Sequence, residues 1–91
     1  MTREEKLVIL RKDLQIATSQ MDDYLGLLLD AAVQMIEREG ISLTDSTEDA
    51  MLEEMYAAYL YRKRRENTPM PRMLRYVLNN RLFQQKARED G

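Results

Sequence analysis

Apolar residues along this chain recur at spacings of three and four, and no segment alternates apolar and polar positions over a strand's length. The pattern predicts helices throughout. Leu7, Leu10 and Leu14 follow Thr2-Arg3-Glu4-Glu5, a capping box in which Thr2 and Glu5 satisfy each other's backbone amides; a first helix is predicted over 3–15. After the break at Ala17-Thr18-Ser19, with Ser19 as the expected N-cap, Met21, Leu25, Leu28, Leu29, Ala32 and Ile36 form one stripe. That stripe predicts a second helix over 20–39. Gly40 suits the C′ position of a Schellman ending, which pairs Ile36 with Ile41.

A loop over 41–45 then leads to a third helix, predicted over 46–64 and capped by Asp45 or Ser46. Its residues Met51, Leu52, Met55, Tyr56, Ala58, Tyr59 and Leu60 leave almost no polar side. A helix apolar all round is surrounded by protein, so this one is either the centre of the fold or shared with a partner. Asn67-Thr68-Pro69-Met70-Pro71 is the clearest stop. Prolines suit first helical positions, and a fourth helix is predicted from there to about 86, with Met73, Leu74, Val77, Leu78 and Leu82 as its apolar face and Phe83 beside it. The expectation is a single all-α domain spanning 1–91, about four helices in orthogonal or bundle-like packing, with a fraying tail at 87–91.

The 91 residues carry a net charge of −2, but the distribution is uneven. Residues 1–12 sum to +2, residues 13–54 to −10 and residues 55–88 to +8. With no cysteine and no histidine, disulfides, thiolate metal sites, the commonest general base and the commonest transition-metal ligand are all missing. No nucleophile–base set and no glycine-rich phosphate loop is present, so the expectation is a non-enzyme without cofactor or metal. No apolar run approaches the length of a membrane span, and the acidic Glu4-Glu5 argues against a signal or transit peptide.

Several groups admit two readings. Asp22-Asp23 and Glu53-Glu54 suit acid–base work or a hard cation, but helix-start and solvated carboxylates explain them better. Arg62-Lys63-Arg64-Arg65, with Arg72, Arg75, Arg81, Lys86 and Arg88, suits nucleic acid or an acidic protein surface; helix-dipole completion and ion pairs to the acidic helices of the same chain are the plainer alternative. For Tyr56, Tyr59, Tyr61 and Tyr76, packing in a core or interface is favoured over stacking on bases. The methionines, seven in all, suit an adaptable binding surface or gap-filling in the core equally.

Four stretches together resemble the small head–tail connector proteins of long-tailed bacteriophages and prophages, also called head-completion or DNA-packaging adaptors. They are the helix from Leu7 to Ile16; Asp22-Asp23-Tyr24-Leu25 with Leu28-Leu29 and Ala31-Ala32; Met55-Tyr56-Ala57-Ala58-Tyr59-Leu60-Tyr61-Arg62-Lys63-Arg64; and Met70-Pro71-Arg72-Met73-Leu74 with Leu78-Asn79-Asn80-Arg81-Leu82. The resemblance implies an all-α subunit, made in the bacterial host cytoplasm, that forms a homo-oligomeric ring in the virion. The ring would dock beneath the portal protein, pass the genome DNA without sequence-specific binding, and present a platform to the next tail-joining protein. No membrane partner, cofactor or catalysis is implied.

A ring needs two different complementary faces on each subunit. Candidate interface residues are therefore Asp22, Asp23, Glu53 and Glu54 on the acidic side and Arg62, Arg64, Arg65, Arg72, Arg75 and Arg81 on the basic side, with Tyr56 and Tyr59 supplying buried area. The alternative reading is a small DNA-binding regulator using the basic C-terminal helix, which the proline-containing break and an overall pI of about 5.2 weaken.

Overall fold

The computed structural model describes residues 1–90. The fold is all-α, with helices α1 (Arg3–Asp13), α2 (Asp22–Arg38), α3 (Thr47–Glu66) and α4 (Arg72–Asp90), and no strand among the described residues. The fourth helix continues through the stretch expected to fray, as far as Asp90; position 91 lies outside the described residues.

Local chemistry sets each boundary. The predicted capping box opens α1: the Glu5 amide donates to Thr2 Oγ1 at 3.2 Å, and the Thr2 amide to Glu5 Oε1 at 3.0 Å. This helix stops two residues earlier than its apolar spacing suggested. The Gln15 amide donates to the Lys12 carbonyl at 3.2 Å and the Ile16 amide to that of Arg11 at 2.9 Å, the paired bonds of a Schellman ending. Gln15 thus occupies the left-handed position, at φ 59°, where glycine is the usual residue.

Ser19 does not cap α2. Met21 holds that position without a side-chain bond, and the Ser19 carbonyl instead accepts from the Asp22 amide in a tight turn. Asp22 and Asp23 in the first turn still complement the helix dipole. At the other end Gly40, at φ 98°, donates to the Glu37 carbonyl at 3.0 Å, while Ile36 and Ile41 are both buried. Ser46 caps α3 by accepting from the Asp49 amide. Asn67, at φ 53°, closes α3 by donating to the Lys63 carbonyl. The prolines precede α4 and do not form its first turn: the Pro71 carbonyl accepts the first helical bond, from the Arg75 amide, so Pro71 is the cap and Pro69 belongs to the linker.

Helix α3 is the axis of the molecule, with α1, α2 and α4 all packed against it. Tyr24 at the start of α2 meets Tyr61 near the end of α3, so these two run antiparallel. Asp13 lies beside Arg62 and Lys6 beside Glu53, so α1 runs alongside α3 in the same direction. The core is Leu10 from α1, Leu25, Leu29, Ala32 and Ile36 from α2, Ile41 from the loop, Leu52, Tyr56, Ala57, Ala58 and Tyr59 from α3, and Leu74 and Leu78 from α4. This is the bundle-like arrangement the periodicity predicted. Met73 departs from it: expected on the buried face of α4, it is 64% exposed.

Replacing Gln15 with glycine should raise unfolding stability by roughly 0.5–1 kcal/mol, since relief of left-handed strain exceeds the entropy glycine adds to the unfolded chain. Urea denaturation checks this; an unchanged or lower midpoint would refute the Schellman assignment.

Candidate functional site

The predicted interface residues divide into those the fold buries and those it leaves outward. Glu53, Glu54, Tyr56 and Tyr59 are all interior, at 5–9% exposure, so they build the subunit itself. α3 is enclosed by three helices on the sides these residues occupy, which makes its all-round apolar pattern a property of the monomer core.

The charge split is answered in part within one subunit. Arg62 Nη2 meets Asp13 Oδ1 at 3.3 Å, Arg75 Nη1 meets Glu39 Oε1 at 2.7 Å, and Arg81 Nε meets Asp49 Oδ1 at 2.9 Å. Arg3, Lys6 and Arg11 likewise meet Asp30, Glu53 and Asp22. Arg62, Arg75 and Arg81, predicted to face a partner, are thereby engaged inside their own chain, as is Asp22.

Arg81 is the clearest case. Asp49, in the first turn of α3, is 1% exposed, and both its oxygens are used. Oδ1 accepts from Arg81 Nε; Oδ2 accepts from Arg81 Nη2 at 3.1 Å, the Thr44 amide at 2.8 Å and the Thr44 hydroxyl at 2.9 Å. The guanidinium also donates to the Ser42 carbonyl and to Gln85 Oε1, and Gln85 donates to the Gly40 carbonyl. Burial raises the Asp49 pKa, but the bonds from Arg81 and Thr44 outweigh it and hold the carboxyl below its usual value. In the sequence Asp49 reads only as an acid in the first turn of the third helix, and nothing in its spacing from Arg81 identifies the pair.

Glu54 is the opposite case. Burial, then a hydrogen bond to Asp13 and the charge of Asp13, push its pKa up to about 8, opposed by Arg62. Its Oε1 has no hydrogen-bond partner. These surroundings favour the protonated form of Glu54, beside the Arg62–Asp13 pair.

Among the outward groups, Lys63, Arg64 and Arg65 at the end of α3 have no carboxylate partner among the described residues. Each lies over a tyrosine: Lys63 Nζ is 5.7 Å from the Tyr59 ring centre, Arg64 Cζ 5.5 Å from Tyr24, and Arg65 Cζ 5.4 Å from Tyr61. Asp23 and Arg72 are exposed and enter no ion pair among the described residues. The largest apolar exposure is on α4, where Met73, Tyr76 and Phe83 are 64%, 67% and 72% exposed. With Asn80 they repeat every three and four residues, roughly opposite the buried Leu74 and Leu78 around the helix. That second stripe is visible in the sequence once the first is assigned to the core. No group of three or more acidic side chains gathers in metal-binding geometry among the described residues, and no helix is long and apolar enough to cross a membrane.

Comparisons of the chain with protein-family models, with curated proteins and with solved structures find no match.

Two outcomes test these assignments. Arg81→Met should lower stability by about 3–5 kcal/mol, because it leaves the Asp49 charge buried and unpaired, and the loss should shrink as acid protonates Asp49; a loss under about 1 kcal/mol would refute the pair. Glu54 binds its proton more tightly folded than unfolded, so its contribution is full below about pH 4.5 and is lost as pH rises through about 8. Glu54→Gln should flatten the fall in stability across that window, whose slope is at most about 1.4 kcal/mol per pH unit for one proton. Parallel pH–stability curves for the two proteins would exclude a shared proton.

Proposed function

We propose that this protein is a structural assembly subunit: a ring-forming head–tail connector that docks beneath a phage portal and joins the DNA-filled head to the tail. The observation that supports it most is the outward strip of α4. Three large apolar side chains at 64–72% exposure lie along one face of one helix, and contiguous exposed apolar surface marks an interaction site. The resemblance of the four helical stretches to phage connectors supplies the kind of assembly. Its partners on this reading are further copies of itself, the portal protein and the next tail-joining protein, at the head–tail junction of the virion.

A second reading, a small helical DNA-binding regulator, draws support from Lys63, Arg64 and Arg65, whose charges no carboxylate answers. Against its original form, Arg75 and Arg81 of the C-terminal helix are already paired. Within the connector reading the same three bases suit sequence-independent contact with the phosphates of DNA passing the ring.

Sedimentation of the purified protein over a concentration series, alone and with portal complexes, discriminates the two. Concentration-dependent rings, or incorporation onto the portal, are the expected result. A chain that stays monomeric under both conditions and instead shifts one DNA sequence in preference to others would overturn the connector reading in favour of the regulator.

A further inference from the structure

We infer that the outward strip of α4 in one copy seats on the outward strip of α2 in the next, giving a head-to-tail contact between two copies of this chain. The inference rests on the self-assembly reading above and names the surfaces it would use.

The α4 strip has bases at both ends, Arg72 and Lys86, with Tyr76 and Phe83 between them. It has no acid along that span, so two such strips facing each other in either direction gain no opposite-charge pair and set cations near one another. The complementary surface must therefore end in acids. The chain carries one. The outward face of α2 begins with Asp23 and ends with Glu37, and Leu27 between them is 63% exposed. None of the four charged groups takes part in an ion pair or side-chain hydrogen bond among the described residues.

The spacing also agrees. Arg72 to Lys86 and Asp23 to Glu37 are each fourteen residues apart, which is about 21 Å along a helix. When two such helices lie side by side, both base–acid pairs close at once, and Leu27 falls within reach of Tyr76 or Phe83 depending on direction. Leu27 against the aromatic ring adds one apolar contact at the centre, and the end charges select the register. Because α2 and α4 each turn their outward stripe away from the core side that meets α3, the contact joins two different faces. Such contacts repeat from copy to copy and close into a ring when the rotation permits.

The experiment is sedimentation velocity on the full chain and two double variants, Arg72→Glu with Lys86→Glu, and Asp23→Lys with Glu37→Lys, each checked for wild-type helix content by circular dichroism. The expected result is that each double variant associates about tenfold or more weakly than wild type, consistent with two exposed ion pairs turned repulsive. An equimolar mixture of the two should regain association, because every contact in an alternating assembly again joins acids to bases. Tyr76→Ser, which removes no core side chain, should weaken wild-type association as well. If the wild type associates and all three variants associate equally well, the α2–α4 contact is overturned while self-assembly stands. A wild type that remains monomeric at every concentration, with or without portal complexes, overturns both.

Discussion

The buried pair Asp49–Arg81 determines how α4 is attached. That helix contributes only two fully buried apolar side chains, Leu74 and Leu78, a modest apolar anchor for a nineteen-residue helix. An unpaired carboxylate at 1% exposure would be strongly destabilising, yet here both oxygens and most of the guanidinium are satisfied by Thr44, Ser42 and Gln85. The network ties three elements at one point: the start of α3, the loop before it, and the middle of α4. Sliding α4 by one turn would strand the Asp49 charge, so the pair sets the register of the helix. Register in turn decides which stripe faces inward. Leu74 and Leu78 go to the core, and Met73, Tyr76 and Phe83 are left outside.

Polar groups elsewhere in the interior follow the same logic with the opposite sign. Asp49 is held charged, so its contribution is present above the ordinary carboxylate range and is lost only as pH falls below it. Glu54 is shifted toward its neutral form, and its contribution is lost as pH rises through about 8. Both lie on α3, on either side of Leu52. One acidic residue is bonded directly to a cation, and at the other burial and a second acid outweigh the nearby Arg62. Buried carboxyls on the central helix are thus shifted in opposite directions by their surroundings.

The helices were legible because they rest on local signals: the capping box at Thr2, the stripe from Leu25 to Ile36, Gly40, and the proline break. Centrality of α3 was legible too, since its apolar residues run round the whole helix. What could not be read was pairing between distant charges. A split of −10 against +8 between segments fits contacts within one chain and contacts between chains equally well, because sequence distance says nothing about which ends meet. The fold answers six acids internally but only three of the bases in 55–88. Schellman geometry at Gln15 was missed for a related reason: glutamine carries no turn signal, and the left-handed backbone there follows from how α1 must stop. From the sequence Met73 reads as inward because the apolar residues of α4 exceed what one contact face holds, and only the register of Arg81 separates the two sets.

The shape of the subunit makes that surplus consequential. The chain measures 46 × 29 × 17 Å, with a radius of gyration of 13.5 Å against about 12 Å for a compact domain of this length. Packed helices lie 8–10 Å axis to axis, so a thickness of 17 Å holds about two layers. In a two-layer slab every peripheral helix has one face its own chain cannot cover. On α1 and α2 those faces are largely polar, with Val8 and Leu27 as isolated exceptions, which is ordinary for a soluble surface. On α4 the uncovered face instead repeats Met73, Tyr76 and Phe83 at helical spacing. A chain selected only for its own folding gains nothing from three large apolar side chains placed there, since none contributes a buried contact to the core. Their position along one straight helix, fixed in register by Arg81 and flanked by unanswered bases, fits a rigid edge presented to another helix.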